Sequence, residues 1–218
     1  MGEAPTGSDD GPALRYGDGQ RALQDRFDTR RLADRLAETA TDDVTGYRSF
    51  IESLDTFFLA TVDEHGQPQC SHKAGDPGVV RVIDAHTLAF PSYDGNGMFL
   101  SLGNLAANPA VGMLFIDFEG GTRLRINGIA SVDLDDPLTA EFPGAQAVVR
   151  VRVTAAFPNC RRYVHPRRRV ERSPFVPTGQ DDPPVPDWKL IPWFDGHLAA
   201  DDPALDPQHP SAPATPEF

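Results

Sequence analysis

The sequence predicts a mainly β fold, six or seven antiparallel strands curled into a small barrel with a few helices on its flanks. Three observations carry that prediction. Between residues 57 and 157, β-branched and aromatic runs recur at even spacing, separated by turns rich in Gly, Pro, Asp and Asn. Gly and Pro number 19 and 21 in 218 residues, a share that fills the chain with turns and argues against a long-helix bundle. Helical periodicity is confined to three stretches, two before the first strand and one inserted between the fourth and fifth.

Residues 1–12 are polar and acidic and are predicted to be disordered. In the charged stretch 13–40, Leu23, Phe27, Leu32 and Leu36 form one apolar stripe, predicting a helix that packs on the outside of the domain or on a partner subunit. Asp42 or Asp43 is placed to cap a second helix through Val44, Tyr47, Phe50, Ile51 and Leu54. FFLATV and QPQCSHKA then read as a hairpin around a Gly- and Pro-containing turn. The later strands are VVRVID, TLAFPS, AVGMLFIDF, TRLRINGIASVDL and AQAVVRVRVTAAF. In the last, Val148, Arg150 and Arg152 alternate against Val149, Val151 and Val153, so one face is expected to be wet. The inserted helix, GMFLSLGNLAANP, puts Phe99, Leu102 and Leu105 on one side and stops at Asn108-Pro109; Ser101 and Asn104 are expected on its surface. From Ser173 the composition shifts, with 11 of the 21 prolines between Pro174 and Pro216 and the last dozen residues predicted to be disordered. Asp187–Phe194 (DWKLIPWF) is the exception: two tryptophans are costly to leave in water, so this segment is expected to dock, across a dimer interface for instance. The chain thus divides into an N-terminal extension (1–40), a central domain (41–172) and a Pro-rich extension (173–218).

With 32 acidic against 20 basic residues, the net charge of −12 disfavours general nucleic-acid or anionic-membrane binding. No window reaches the ~18 apolar residues of a membrane span, and the start of the chain lacks the pattern of a signal peptide. A cytoplasmic protein with Cys70 and Cys160 reduced is expected. Only two lysines occur, Lys73 and Lys189, while six arginines crowd positions 161–172. Local positive spots on an acidic chain point to a small anion. The arginine cluster reads as a solvated face, with Arg161 and Arg167 as candidates for an anionic substrate. There is no phosphate-binding Gly-Lys-Ser/Thr loop, Gly-x-Ser-x-Gly elbow or zinc spacing among His65, His72 and His86, so no metal is expected.

Three pieces in order, FFLATVDEHGQPQCSHK (57–73), LAFPSYDGNGMFLSLGNLAANPAVGMLF (88–115) and RLRINGIA (123–130), resemble the pyridoxamine 5′-phosphate oxidase-like family. The layout shared with it is a Gly-Gln-Pro hairpin, a strand, a polar loop feeding a helix that ends in Asn-Pro, and a strand ending near Asn-Gly, over about half the chain. The resemblance implies a six- to seven-stranded antiparallel split β-barrel over 41–172, working as a homodimer with FMN at the subunit interface. It also implies an FMN-dependent oxidoreductase acting on a small molecule. Relatives with the same barrel that hold haem or the deazaflavin F420, or that bind flavin without turnover, are the alternatives.

A flavin mononucleotide pairs a near-dianionic phosphate with a planar apolar ring, so its pocket needs cationic donors at one end and a backbone wall at the other. By the resemblance, Ser71, His72 and Lys73 on the second strand contact the cofactor, with Lys73 on the phosphate; alternation puts Ser71 and Lys73 on one face and His72 on the other. The loop Pro91, Ser92, Tyr93, Asp94, Gly95, Asn96, Gly97 enters the helix as an anion-receptive corner. Where the oxidases proper carry an Arg-Lys pair this chain has Asn96-Gly97, leaving Arg81, Arg123 and Arg125 as compensating cations, Arg123 at a position that faces the flavin ring. Asn159-Cys160-Arg161-Arg162-Tyr163 resembles a segment beside the flavin cavity in one branch of the family. His72, Cys160 and Tyr163 are the candidate catalytic residues, the thiol because flanking arginines favour its thiolate; Cys70 reads as packing. Activity on pyridoxamine phosphate itself is not expected, because the substrate-phosphate Arg and a basic Arg-x-His tail are not recognisable.

Overall fold

A computed structural model describes residues 14–180, 183–206 and 209; the expectations of disorder at 1–12 and, His209 apart, over the last dozen residues fall outside the described residues. Seven strands form one antiparallel sheet: β1 (Thr56–Val62), β2 (Pro68–Ala74), β3 (Arg81–Val82), β4 (Thr87–Tyr93), β5 (Ala110–Ile116), β6 (Arg123–Asp133) and β7 (Ala145–Asn159). They lie in the order β2-β1-β5-β6-β7-β4-β3. Four helices accompany them: α1 (Asp18–Arg26), α2 (Arg30–Ala37), α3 (Arg48–Ser53) and α4 (Leu100–Ala107). The sheet's edges, β2 and β3, do not pair, so this is a split barrel curled round its main core.

The curling is visible in three rings. Phe57 on β1 and Phe90 on β4 are separated by three strands in the sheet, yet their ring centroids lie 5.0 Å apart, edge to face. Phe115 on β5 stacks on Phe57 at 5.7 Å. Edge-to-face packing suits the ring quadrupole. All three rings are buried, in a cluster with Leu59, Leu88, Leu124, Ile126, Val149 and Val151.

The first hairpin is as the sequence predicts. Asp63 accepts backbone N–H bonds from His65 and Gln67, Gly66 takes φ 81°, and the ladder runs from Val62↔Pro68 to Thr56↔Ala74. The expected third strand shrinks to two residues, so β4 is an open edge beyond Ala89, which is where Pro91 can stand without breaking a ladder. Asn127-Gly128 does not end a strand. It sits at a bulge in the middle of β6, where Asn127 pairs with Ala155 and Gly128 with Val153, and the extra residue bends the long β6–β7 ribbon round the barrel. On β7, Arg152 is exposed as expected, but Val148 is buried beneath Phe142, beside the 3₁₀ turn Pro137–Glu141.

The helices before β1 depart from expectation in two places. Residues 14–40 contain two helices, because Asp28 adopts a left-handed φ of 50° between them; Leu23, Phe27, Leu32 and Leu36 all remain more than half exposed. Near Val44 the chain makes a 3₁₀ turn (Thr45–Tyr47) before α3, with Asp43 accepting from the Thr45 N–H and hydroxyl; Val44 and Ile51 enter the core.

Two substitutions test this packing. An added Cβ at Gly128 falls 2.5 Å from Val151 Cγ1 and 2.7 Å from the Arg152 carbonyl oxygen. Gly128→Ala is therefore expected to lower unfolding stability by about 2 kcal/mol, read by denaturant titration. Asp136 is 3% exposed and bonded to the Arg150 guanidinium (Nη2–Oδ1 2.9 Å), and that bond holds its carboxyl below the usual carboxylate range. The stabilisation is full above the unfolded-state value near ~3.9 and is lost as pH falls through the lowered folded value. Asp136→Asn should cost about 1–2 kcal/mol at neutral pH, discounted because 35% of the Arg150 side chain stays in water. The variant should also lose part of the wild-type drop in stability below pH ~4.

Candidate functional site

The edge strand β2 sorts its side chains by alternation. Ser71 and Lys73 are half-buried, whereas Cys70, His72 and Ala74 are exposed. Lys73 pairs with Phe57 and Ser71 with Leu59, both core residues, so this pair faces the barrel side of the sheet. The Ser71 hydroxyl meets that of Ser101 at 2.9 Å, joining the inner face of β2 to the first turn of α4. Lys73 lies two residues along that face, about 7 Å at strand rise. Desolvation lowers its pKa, and no carboxylate pairs with it among the described residues.

The other side of the corner is the end of β4 and the loop into α4. A bulge between Ser92 and Tyr93 turns Tyr93 out of register, and its ring comes within 3.6 Å of where a Cβ on Gly75 would stand, just past the end of β2. The two open edges of the sheet thus approach each other at Gly75 and Tyr93. Burial raises the pKa of the Tyr93 phenol. Asn96 makes a local turn, its Oδ1 accepting from the Met98 N–H at 3.1 Å, and Gly97 takes φ 72°. Phe99 occupies the N-cap with φ 49°, supplies no side-chain cap and is 58% exposed, so it does not share a packed side with Leu102 and Leu105. Among the described residues the first-turn N–H groups of α4 consequently have no side-chain acceptor. Ser101 and Asn104, expected on the helix surface, are buried instead, and the Asn104 amide donates to the Thr61 hydroxyl at 3.0 Å. These two polar contacts fix α4 on β1 and β2.

The remaining predicted residues divide between two faces. His72 lies on the opposite face of β2 from Lys73, its Nε2 2.6 Å from the Thr56 hydroxyl and its ring 5.6 Å from Phe58. Arg125, on the outer face of β6, is exposed. Arg123 shares that face and bonds the Cys160 carbonyl, while its Nε is buried without a partner. Arg81 lies over the Phe142 ring and bonds Glu141, so its guanidinium is already engaged. Cys160 is exposed; the Arg162 backbone N–H (3.4 Å) and its Nε (3.2 Å) donate to Sγ and hold the thiol pKa below its usual value. Tyr163 is 91% exposed at φ 67° and is not brought to the corner by the chain. Cys70 does not pack; it too is exposed. The arginine cluster is not simply a solvated face. Arg169 pairs with Asp55 (2.6 Å), Arg172 forks onto Asp76 (2.7 and 2.9 Å), and Arg167 lies over the Phe118 ring.

Sequence analysis named Asp94 in the corner loop and Lys189 as one of two lysines but did not pair them, and it missed Asp202. Lys189 Nζ lies 3.0 Å from Asp94 Oδ2 and 2.8 Å from Asp202 Oδ2, which docks DWKLIPWF on the corner's own loop. The tryptophans do not bury as a pair: Trp193 is 78% exposed, and Phe194 meets both Trp188 and Trp193 edge to face. Between this segment and the loop lies a cavity of about 1110 Å³ lined by Tyr93, Asn96, Gln146, Phe175 and Trp188.

These groups suit a phosphate. A half-buried lysine without a counter-ion and an uncapped helix start offer charge and N–H donors to a phosphate, and no acidic residue stands in the first turn of α4. Among the described residues no three His, Cys, Asp or Glu side chains gather as metal ligands, and no helix is long and apolar enough to cross a membrane.

Known structures show similar chains. A protein assigned as a pyridoxamine 5′-phosphate oxidase from Lactobacillus delbrueckii is 24% identical, with a TM-score of 0.44, over 54% of this chain and 95% of that one. The HupZ protein of Group A Streptococcus is 20% identical (TM-score 0.43; 52% and 92% covered). An FMN-binding protein from Syntrophomonas wolfei is 14% identical (TM-score 0.40; 65% and 97%). No curated protein matches the chain. The family model described as pyridoxamine 5′-phosphate oxidase matches residues 45–173, which runs from the turn before α3 through all seven strands and takes in more than half of the sequence, so the chain belongs to that family.

Proposed function

We propose that residues 41–172 form an FMN-binding domain and that the protein is a homodimeric oxidoreductase acting on a small molecule. The observation that carries this reading is Lys73: a desolvated cation with no partner among the described residues, on the same face of β2 as Ser71, which meets the first turn of the uncapped helix α4. Family membership supports the same reaction class. When bound, the flavin supplies two-electron redox chemistry. The chain's own part is to bind and orient. Lys73 neutralises the phosphate, Ser92 and the helix-start N–H groups complete its shell, and the Ser71–Ser101 contact keeps strand and helix in register around it.

A second copy of the chain is part of this reading. His72, Arg123 and Arg125 lie on the outer sheet face, away from Lys73, while Met98, Phe99 and Leu100 stand exposed by 61%, 58% and 46% at the mouth of the corner. An apolar edge beside a charged binding corner is the surface a partner subunit would cover. A cytoplasmic location fits the two free cysteines.

Purified protein titrated with FMN should bind it with absorbance at about 450 nm and run as a dimer on mass-based sizing. A Soret band, failure to take up FMN or a stable monomer overturns the respective part of the reading. Lys73→Ala should weaken FMN by about tenfold to a hundredfold, the worth of one charge-assisted bond, while riboflavin, which lacks the phosphate, binds it nearly as before. Because burial lowers the Lys73 pKa, the ammonium is lost below the ordinary lysine value of 10.5. Wild-type affinity should therefore fall as pH rises toward that value, and the fall should be absent in Lys73→Ala.

A further inference from the structure

We propose that Lys189 is a positioning residue for the cofactor corner, latching the C-terminal segment 183–206 over the 93–97 loop and shielding the phosphate position from Asp94. The proposal rests on the corner being a phosphate site.

Asp94 is a problem for such a site. It stands between Tyr93 and Asn96 in the loop that leads to α4, where a bare carboxylate repels a phosphate approaching Lys73 and the helix start. Lys189 lessens it. The lysine is 7% exposed and lies 3.0 Å from Asp94 Oδ2, so a cation delivered from 95 residues further along the chain, and shared with Asp202, offsets part of that charge. Asp202, with 11% of its side chain exposed, holds the ammonium from the other side at 2.8 Å. Its backbone-facing oxygen, Oδ1, accepts the Ala204 N–H and so caps the turn Pro203–Leu205. A buried lysine with two carboxylates fixes position more than it adds stability, because desolvation offsets much of the attraction. These paired carboxylates outweigh burial and keep the Lys189 pKa above its ordinary value, so the ammonium stays charged at neutral pH.

The latch also explains the docking geometry. Trp188 and Lys189 turn inward on one 3₁₀ turn (Asp187–Leu190), Val185 is buried, and Leu190, Ile191 and Trp193 face outward. The segment thereby roofs the cavity floored by Tyr93, Asn96 and Gln146. One ammonium joins the roof to the loop.

The test compares full-length wild type with Lys189→Met, Lys189→Arg and the double variant Asp94→Asn/Lys189→Met. Hydrogen exchange on the flavin-free proteins reads the latch. Lys189→Met should lose protection over 183–206 and 93–97 while β1 and β5–β7 keep theirs, and Lys189→Arg should keep it throughout. FMN titration reads the shielding. Lys189→Met should bind FMN about tenfold more weakly with riboflavin affinity unchanged, and adding Asp94→Asn should recover most of that loss. Unchanged protection in Lys189→Met overturns the latch. Unchanged FMN affinity, or a loss that Asp94→Asn does not recover, overturns the shielding. Wild type that takes up no FMN overturns the phosphate-site reading instead, and the exchange data on flavin-free protein distinguish that failure from a failed latch.

Discussion

The contact between Phe57 and Phe90 sets the shape of this protein. A sheet ordered β2-β1-β5-β6-β7-β4-β3 could lie open, and only side chains meeting across its concave face make it curl. Burying the three large rings, with the aliphatic residues around them, is the dominant favourable term available to a domain of this size. Curling brings the two sheet edges toward each other without joining them. What remains between β2 and β4 is a seam of unpaired strand edge, and unpaired edges supply backbone donors and room for polar side chains.

The seam is where the candidate site lies, and α4 is the element that makes it a site. Its two inward polar contacts, Asn104 to Thr61 and Ser101 to Ser71, hold a short helix against both the penultimate and the edge strand. A helix of only eight residues owes its stability to such tertiary contacts. Because those contacts grip its side and first turn, its N-terminus stays uncapped on the side of β2 that also carries Lys73. Position is thus given by the core and charge by a single lysine.

The strands were legible because their signals are local. Period-two alternation and Gly- or Pro-bearing turns placed all seven, and alternation alone separated Ser71 and Lys73 from His72. Two local readings failed where the backbone turned left-handed. Asp28 broke one helix into two, and Phe99 swung out of the apolar side on which its spacing had placed it. Asn104 and Ser101 were misplaced for a different reason: a polar residue on a short helix looks solvent-facing until the strand groups it bonds are known. The partnership of Lys189 with Asp94 had no sequence signal beyond the rarity of lysine, since nothing in spacing links residues 95 positions apart. The arginine cluster was visible, but its anchoring on Asp55 and Asp76 depends on the third dimension in the same way.

Those arginine anchors divide the molecule by the kind of force that holds each part. The barrel is closed by buried apolar side chains, whereas the chain beyond β7 is tied back through Arg169–Asp55, Arg172–Asp76 and Lys189–Asp94. Ionic strength screens the partly exposed pairs and leaves ring packing untouched; an excluded salt such as sulfate even strengthens it. Salt and heat therefore act on different halves of the same chain. One loosens the exposed arginine ties beyond β7 from an intact barrel, while the other removes the barrel on which the whole covering chain rests.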